Sequence, residues 1–152
     1  MRNKALTGAA LAAAIGGLYT LEGVELNAYR DIANVPSICA GTTLGVKMGD
    51  RATPQQCWDM TVRDYQKHEK AVLTIKTELT KNQQTALTFF CYNVGYSACL
   101  DSTAFRQFNA GNYLAGCQAI AMFNKVTING KKVVSKGLVN RRAAEVSLCL
   151  KP

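Results

Sequence analysis

Glu22, Asp31 and Ser37 are the residues whose types and spacing could do chemistry. A glutamate is followed nine residues on by an aspartate, and six further on by a hydroxyl. Taken alone, such a pair of carboxylates is most often a pair of solvated surface charges. The context raises it. Glu22 closes an uncharged, largely apolar stretch, Ala5 to Leu21, and apolar surroundings favour a protonated carboxyl. Asp31 falls in a polar, loop-like stretch that keeps a carboxylate ionised. One proton-bearing acid and one ionised acid are what acid-catalysed glycoside cleavage requires. A metal is a poorer fit. There is no Cys-x-x-Cys pair, and the single histidine, His68, lies eleven residues past Cys57. No metal and no organic cofactor are expected.

Elements that could hold these residues are legible along the chain. The region from 22 to about 52 carries Gly23, Gly41, Gly45, Gly49 and Pro36, with a β-prone piece at Val35–Cys39, and reads as a small irregular β-lobe. Thr53, Pro54 and Gln56 form a capping box that opens a helix to about Leu73. Thr80 and Gln83 form a second, opening an apolar helix through Ala86, Leu87, Phe89 and Phe90 that Gly95 stops. Ser102 caps Thr103–Asn109, and Asn112 is expected to cap a helix reaching about Phe123. Asn129-Gly130 is a tight-turn dipeptide between β-prone flanks. A last helix is expected from about Leu138 to Leu150, with Val139, Ala143, Val146 and Leu150 on one apolar face. The outline is α+β and mainly α: a small β-lobe, a helix between the lobes, and a helical lobe over about 80–152. A cleft between the lobes is the natural place for a ligand.

Composition bounds the setting. The chain has 152 residues, 48% hydrophobic and 18% charged, which suits one globular domain rather than a disordered or multi-span protein. Its net charge of +8 fits nucleic acid, an anionic lipid face or an anionic wall polymer equally well. Six cysteines in a small basic chain suggest disulfides and an oxidising compartment, with the pairing left open by sequence alone.

The N-terminus has three readings. Arg2 and Lys4 precede the seventeen residues Ala5–Leu21, among them six alanines and three glycines. As a helix this stretch reaches about 25 Å, short of a hydrocarbon core of ~30 Å. It can be a cleaved signal peptide, with Ala12-Ala13-Ala14 offering small residues, a buried core helix, or a weak anchor able to leave the bilayer. The basic start and the cysteines favour export.

Several segments together resemble the phage-type lysozymes, the endolysin family of muramidases. They are Leu21-Glu22-Gly23-Val24, Ala28-Tyr29-Arg30-Asp31 and Val35-Pro36-Ser37-Ile38-Cys39-Ala40-Gly41-Thr42-Thr43. Further on come Ala86–Phe90 leading to Tyr92-Asn93-Val94-Gly95, then Phe108-Asn109-Ala110-Gly111 and Gly137–Glu145. The resemblance runs from about residue 20 to the C-terminus.

The resemblance implies a lysozyme-like fold in two lobes with the active site in the cleft. It implies Glu22 as proton donor, and Asp31 with Ser37 orienting a water on the opposite sugar face, with inversion. Ser37 stands where the family usually has threonine. It keeps the hydroxyl and loses the methyl that restricts its rotamer. The hairpin histidine of some members is absent, its place falling at Thr42 or a neighbour. Arg141 matches an arginine near the catalytic glutamate in relatives, and Asn93 a polar residue on the cleft wall. Tyr29 could line the cleft or cover the β-lobe. The implied substrate is peptidoglycan, cut between N-acetylmuramic acid and N-acetylglucosamine by a monomer. Residues 1–21 resemble signal-anchor-release helices. They imply transient inner-membrane association through residues 5–21, then a periplasmic enzyme, with 22–152 as a single lysozyme domain. No cysteine lies in that segment, so release would be topological rather than by thiol exchange.

Within this family frame three bridges are expected. Relatives with one of Cys39 and Cys57 often carry both. Cys91 and Cys99 flank the helix end at Gly95, and Cys117 and Cys149 lie on two late helices. Trp58 reads as a packing residue and His68 as solvent-exposed. Lys131-Lys132 reads as a loop face, so no nucleic acid is expected. The rival functions are a lytic transglycosylase, a chitosan-type hydrolase and a non-catalytic wall-binding protein.

Overall fold

The computed structural model describes residues 2–152. The chain forms two compact units. One is Leu6–Lys67; the other combines the residues up to Ala5 with His68–Pro152.

The first unit opens with α1 (Gly8–Glu22). Its buried face is Ala14, Ile15 and Leu18, which helical spacing brings to one side. Gly23 ends it at φ 71°, a conformation costly for any residue with a Cβ, and its N–H bonds to the Tyr19 carbonyl at 2.9 Å. Glu22 is thus the last residue of α1, where the apolar stretch ends. Strand β1 (Glu25–Arg30) pairs antiparallel with β2 (Pro36–Cys39), with Tyr29 opposite Ser37. Helix α2 (Pro54–Val72) begins at a complete capping box. Thr53 N–H donates to Gln56 Oε1 at 2.8 Å, and Gln56 N–H to Thr53 Oγ1 at 3.1 Å. The Cys39–Cys57 disulfide ties β2 to α2 inside a small core with Ile38. Trp58 does pack, edge-on against Tyr19 at 5.8 Å.

The second unit is helical. It holds α3 (Lys81–Val94), α4 (Tyr96–Leu100), α5 (Thr103–Asn109), α6 (Tyr113–Ala119) and a 3₁₀ turn at Ile120–Met122. A hairpin of β3 (Lys125–Ile128) and β4 (Lys131–Val134) follows, then α7 (Lys136–Cys149). The Thr80–Gln83 capping box starts α3, whose Leu87 and Phe90 are fully buried with Phe105, Phe108 and Ile120. Cys91–Cys99 closes the turn between α3 and α4, and Cys117–Cys149 links α6 to α7. Among the described residues there is no free cysteine.

Three expectations need correction. Asn112 makes no capping bond; its amide donates to Gln107 Oε1 at 2.9 Å, and α6 ends at Ala119 before tightening into the 3₁₀ turn. Helix α7 starts earlier, at Lys136, capped by Ser135, and does not bury the apolar face that was expected. Val139 is 39% and Leu150 49% exposed, while Arg142, Glu145 and Cys149 are buried. Apolar periodicity misled because two charges that neutralise each other can occupy the inner face. His68 is half-buried, its ring 5.2 Å from that of Tyr92.

No helix among the described residues is long and apolar enough to cross a membrane.

Candidate active site

Glu22, Tyr29, Asp31 and Ser37 all belong to the Leu6–Lys67 unit. Each is positioned by a different local device. The C-terminal end of α1 presents Glu22, and a Cβ built on Gly41 would lie 4.0 Å from its Oε2. Gly41 itself sits at φ 86°, so the backbone passes close to the Glu22 carboxylate where glycine is favoured. Asp31 stands in the turn between β1 and β2. Its Oδ1 accepts the N–H groups of Ala33 and Val35, both at 2.9 Å, an arrangement that fixes the carboxylate in place. The Ser37 hydroxyl lies 3.1 Å from the Val35 carbonyl and 3.4 Å from Asp31 Oδ2, and Ser37 is buried.

Tyr29 reports that these carboxylates share one neighbourhood. Its phenol is held above its ordinary pKa, first by desolvation and then by the negative charges of Glu22, Asp31 and Glu25. Tyr29 is directly opposite Ser37 across the hairpin. Two carboxyl groups and a hydroxyl are the set of groups that acid–base glycoside cleavage with an oriented water uses.

Asn93 and Arg141 belong to the second unit. Arg141 Nε donates to Glu145 Oε1 at 3.0 Å and its Nη2 to the Phe89 carbonyl at 3.2 Å. Asn93 Oδ1 accepts from Arg142 Nη2 at 2.7 Å. Both are therefore joined to one network centred on the buried Arg142–Glu145 ion pair, whose closest contact is 2.8 Å. Arg142 also lies over the Phe90 ring at 5.4 Å.

Residues 19–145 match the family model described as phage lysozyme.

The chain belongs to the phage lysozyme family.

A SAR-endolysin of Pseudomonas phage phiKMV is 66% identical over 151 residues, covering 99% of this chain and 94% of the relative. An endolysin from Escherichia coli O157:H7 phage FAHEc1 superimposes with a TM-score of 0.89 at 36% identity, over 99% of this chain and 96% of that one. A mutant of P22 lysozyme gives a TM-score of 0.78 at 30% identity, over 92% of this chain and 97% of that one. The mainly helical α+β architecture is that of these phage lysozyme relatives.

Within this phage lysozyme frame, sequence reasoning missed two features. At Thr42, where the hairpin histidine of some members is absent, the Thr42 hydroxyl donates to Asp64 Oδ2 at 2.6 Å, with Thr42 buried. The sequence offers no local signal for it, since the partners are 22 residues apart. The Arg142–Glu145 pair was discoverable, because an i,i+3 spacing of opposite charges sits in a helix.

Proposed function

We propose that this chain is a peptidoglycan hydrolase cutting the β-1,4 bond between N-acetylmuramic acid and N-acetylglucosamine, with inversion at the anomeric carbon. The observation that carries the reading is the Asp31 carboxylate, whose Oδ1 is fixed by two backbone N–H groups while the Ser37 hydroxyl lies 3.4 Å from its Oδ2, with Tyr29 opposite Ser37 across the hairpin. Family membership supports the same reading.

Glu22 protonates the glycosidic oxygen as the bond to the leaving sugar breaks. Asp31 Oδ1 is occupied by two backbone N–H groups, so Oδ2 is the oxygen that accepts a proton from water. The Ser37 hydroxyl donates its single proton to the nearer acceptor, the Val35 carbonyl, and its lone pairs accept from the same water. A water that donates to both oxygens aims its own lone pair at the anomeric carbon. Asp31 takes its proton as the new bond forms, and Glu22 ends ionised. Asn93 and Arg141 bind the glycan in this account, and a single chain suffices for the reaction.

Before release, residues 5–21 associate with the host inner membrane on its periplasmic side; afterwards the enzyme acts in the periplasm. The name of the phiKMV relative, a SAR-endolysin, supports this. So does the length of α1, whose 15 residues span only about 22 Å. A helix that short and rich in alanine and glycine is held weakly by a bilayer. In the released form most of that segment builds α1, which ends on Glu22. Cell fractionation tests this: the soluble form should retain residues 1–21, and a soluble form beginning near Ile15 would show a cleaved signal peptide instead.

Product analysis tests the chemistry. Hydrolysis leaves a reducing end whose first-formed anomer is α. An anhydro sugar would indicate a transglycosylase, and no cleavage would indicate a wall-binding protein.

A further inference from the structure

From Ser102 through Ala144 the sequence holds seven lysines and arginines and no acidic residue. Four of the seven, Lys125, Lys131, Lys132 and Lys136, are exposed or half-buried on or beside the β3–β4 hairpin. Asn129 and Gly130, at φ 49° and 76°, make a tight turn whose twist matches that of the strands. The register pairs Lys125 with Val134, Val126 with Val133, Thr127 with Lys132 and Ile128 with Lys131. Opposed residues share a face, so Lys125, Thr127, Lys132 and Val134 form one face, and Val126, Ile128, Lys131 and Val133 the other.

On the first face, Lys125, Thr127 and Lys132 line a groove of about 330 Å³ floored by Met122 and Phe123. Lys125 and Lys132 are diagonal neighbours there, about 7 Å apart by strand geometry. Two ammonium groups at that spacing repel, and an anion between them turns the repulsion into attraction. On the second face Ile128 is 54% and Val133 44% exposed, with Lys131 beside them at the tip.

We propose that this hairpin docks the protein on a bilayer containing anionic phospholipid. It enters turn-first, taking a headgroup phosphate between Lys125 and Lys132 on one face and burying Ile128, with Val133 behind it, on the other. Four residues of strand reach about 13 Å, enough to cover the ~5–10 Å over which interfacial elements bury their apolar side. Lys131 has the stem length to keep its ammonium among the headgroups while lying along hydrocarbon. A glycan strand would complement the lysines and the Thr127 hydroxyl but not the exposed aliphatic side chains of Ile128 and Val133. An interface of phosphate over hydrocarbon complements both.

The test is co-sedimentation of the full soluble chain with vesicles of phosphatidylglycerol and phosphatidylcholine, beside vesicles of phosphatidylcholine alone. Binding should require phosphatidylglycerol and weaken with salt. K125Q with K132Q should reduce partitioning by about tenfold or more, since each basic residue near an anionic surface strengthens binding severalfold. I128S with V133S should reduce it at low and high salt alike. All four positions are surface-exposed, so peptidoglycan cleavage and the circular dichroism spectrum should stay at wild-type level, which separates this contact from the hydrolase reading. Wild-type-like vesicle binding by both double variants would overturn the proposal. So would substitutions that weaken retention on purified sacculi or on double-stranded DNA while leaving vesicle binding intact.

Discussion

The side-chain amide of Asn3 donates to the carbonyl of Thr77 at 2.9 Å, across 74 positions of sequence. The same amide nitrogen donates to the Ile75 carbonyl at 3.1 Å, and Asn3 Oδ1 accepts the N–H of Leu79 at 3.0 Å. One residue on, the Lys4 carbonyl accepts from the buried Gln84 at 2.9 Å, and Gln84 also bonds Glu69 at 2.8 Å. The segment between α2 and α3 has no ladder partner of its own along this stretch, and the Asn3 amide supplies one.

Asn3→Ala therefore leaves three part-buried backbone groups to find water, and should cost about 1–3 kcal/mol in urea unfolding. Asn3→Asp keeps the acceptor and loses both donors, so it should fall near the alanine variant rather than near wild type. Unchanged midpoints in both would mean that the contact is not part of the folded state in solution.

A second prediction concerns Gly116 on α6. A Cβ there would meet Phe108 Cδ2 at 2.5 Å and Cε2 at 2.7 Å, and the Phe108 ring is fully buried. Gly116→Ala should destabilise by about 1–3 kcal/mol, although alanine is the better helix former, because overpacking outweighs propensity. A raised midpoint would show that the ring can move aside.

The third prediction concerns the charged face of α7. Glu145→Ala removes the carboxylate that meets both Arg141 and the fully buried Arg142, at 3.0 and 2.8 Å. The cost should be about 3–5 kcal/mol by chemical denaturation. Glu145→Ala with Arg142→Met should recover part of that loss, since the buried charge is gone. If the double variant is no better than the single, the penalty does not come from charge burial.

Much of this architecture was legible in the chain. Both capping boxes, the Gly95 stop and the Asn129-Gly130 turn follow from backbone rules that act within four residues, and all four stand in the structure. What failed was long-range. The Arg142–Glu145 pair on the inner face of α7 is local, but the Asn93 contact that joins it to α3 spans 49 positions. At the candidate site, the type and order of Glu22, Asp31 and Ser37 are local information. The Asx-type turn that locks Asp31, and the pairing of Tyr29 with Ser37, depend on the hairpin register, which residue types do not specify.

Tyr29 gives the fourth prediction. Its phenol should titrate above the ordinary tyrosine value, with burial the larger cause and the carboxylates of Glu22, Asp31 and Glu25 adding to it. The folded state holds this proton more tightly than the unfolded chain. The associated stability is therefore complete below about pH 10 and is lost as pH rises through the folded value. Carbon-13 NMR of the tyrosine ring should show the Tyr29 midpoint falling toward the ordinary value in Glu22→Gln, because one negative charge is gone. An unchanged midpoint would separate Glu22 from the Tyr29 neighbourhood.

The most direct test of the account is the rate at which purified Glu22→Gln releases reducing ends from isolated peptidoglycan, compared with wild type at equal unfolding midpoint. The amide cannot donate the proton that the leaving sugar needs, so the rate should drop by at least about a hundredfold with binding to sacculi retained. A Glu22→Gln enzyme that folds normally and cleaves within about tenfold of wild type would contradict the assignment of Glu22 as the general acid.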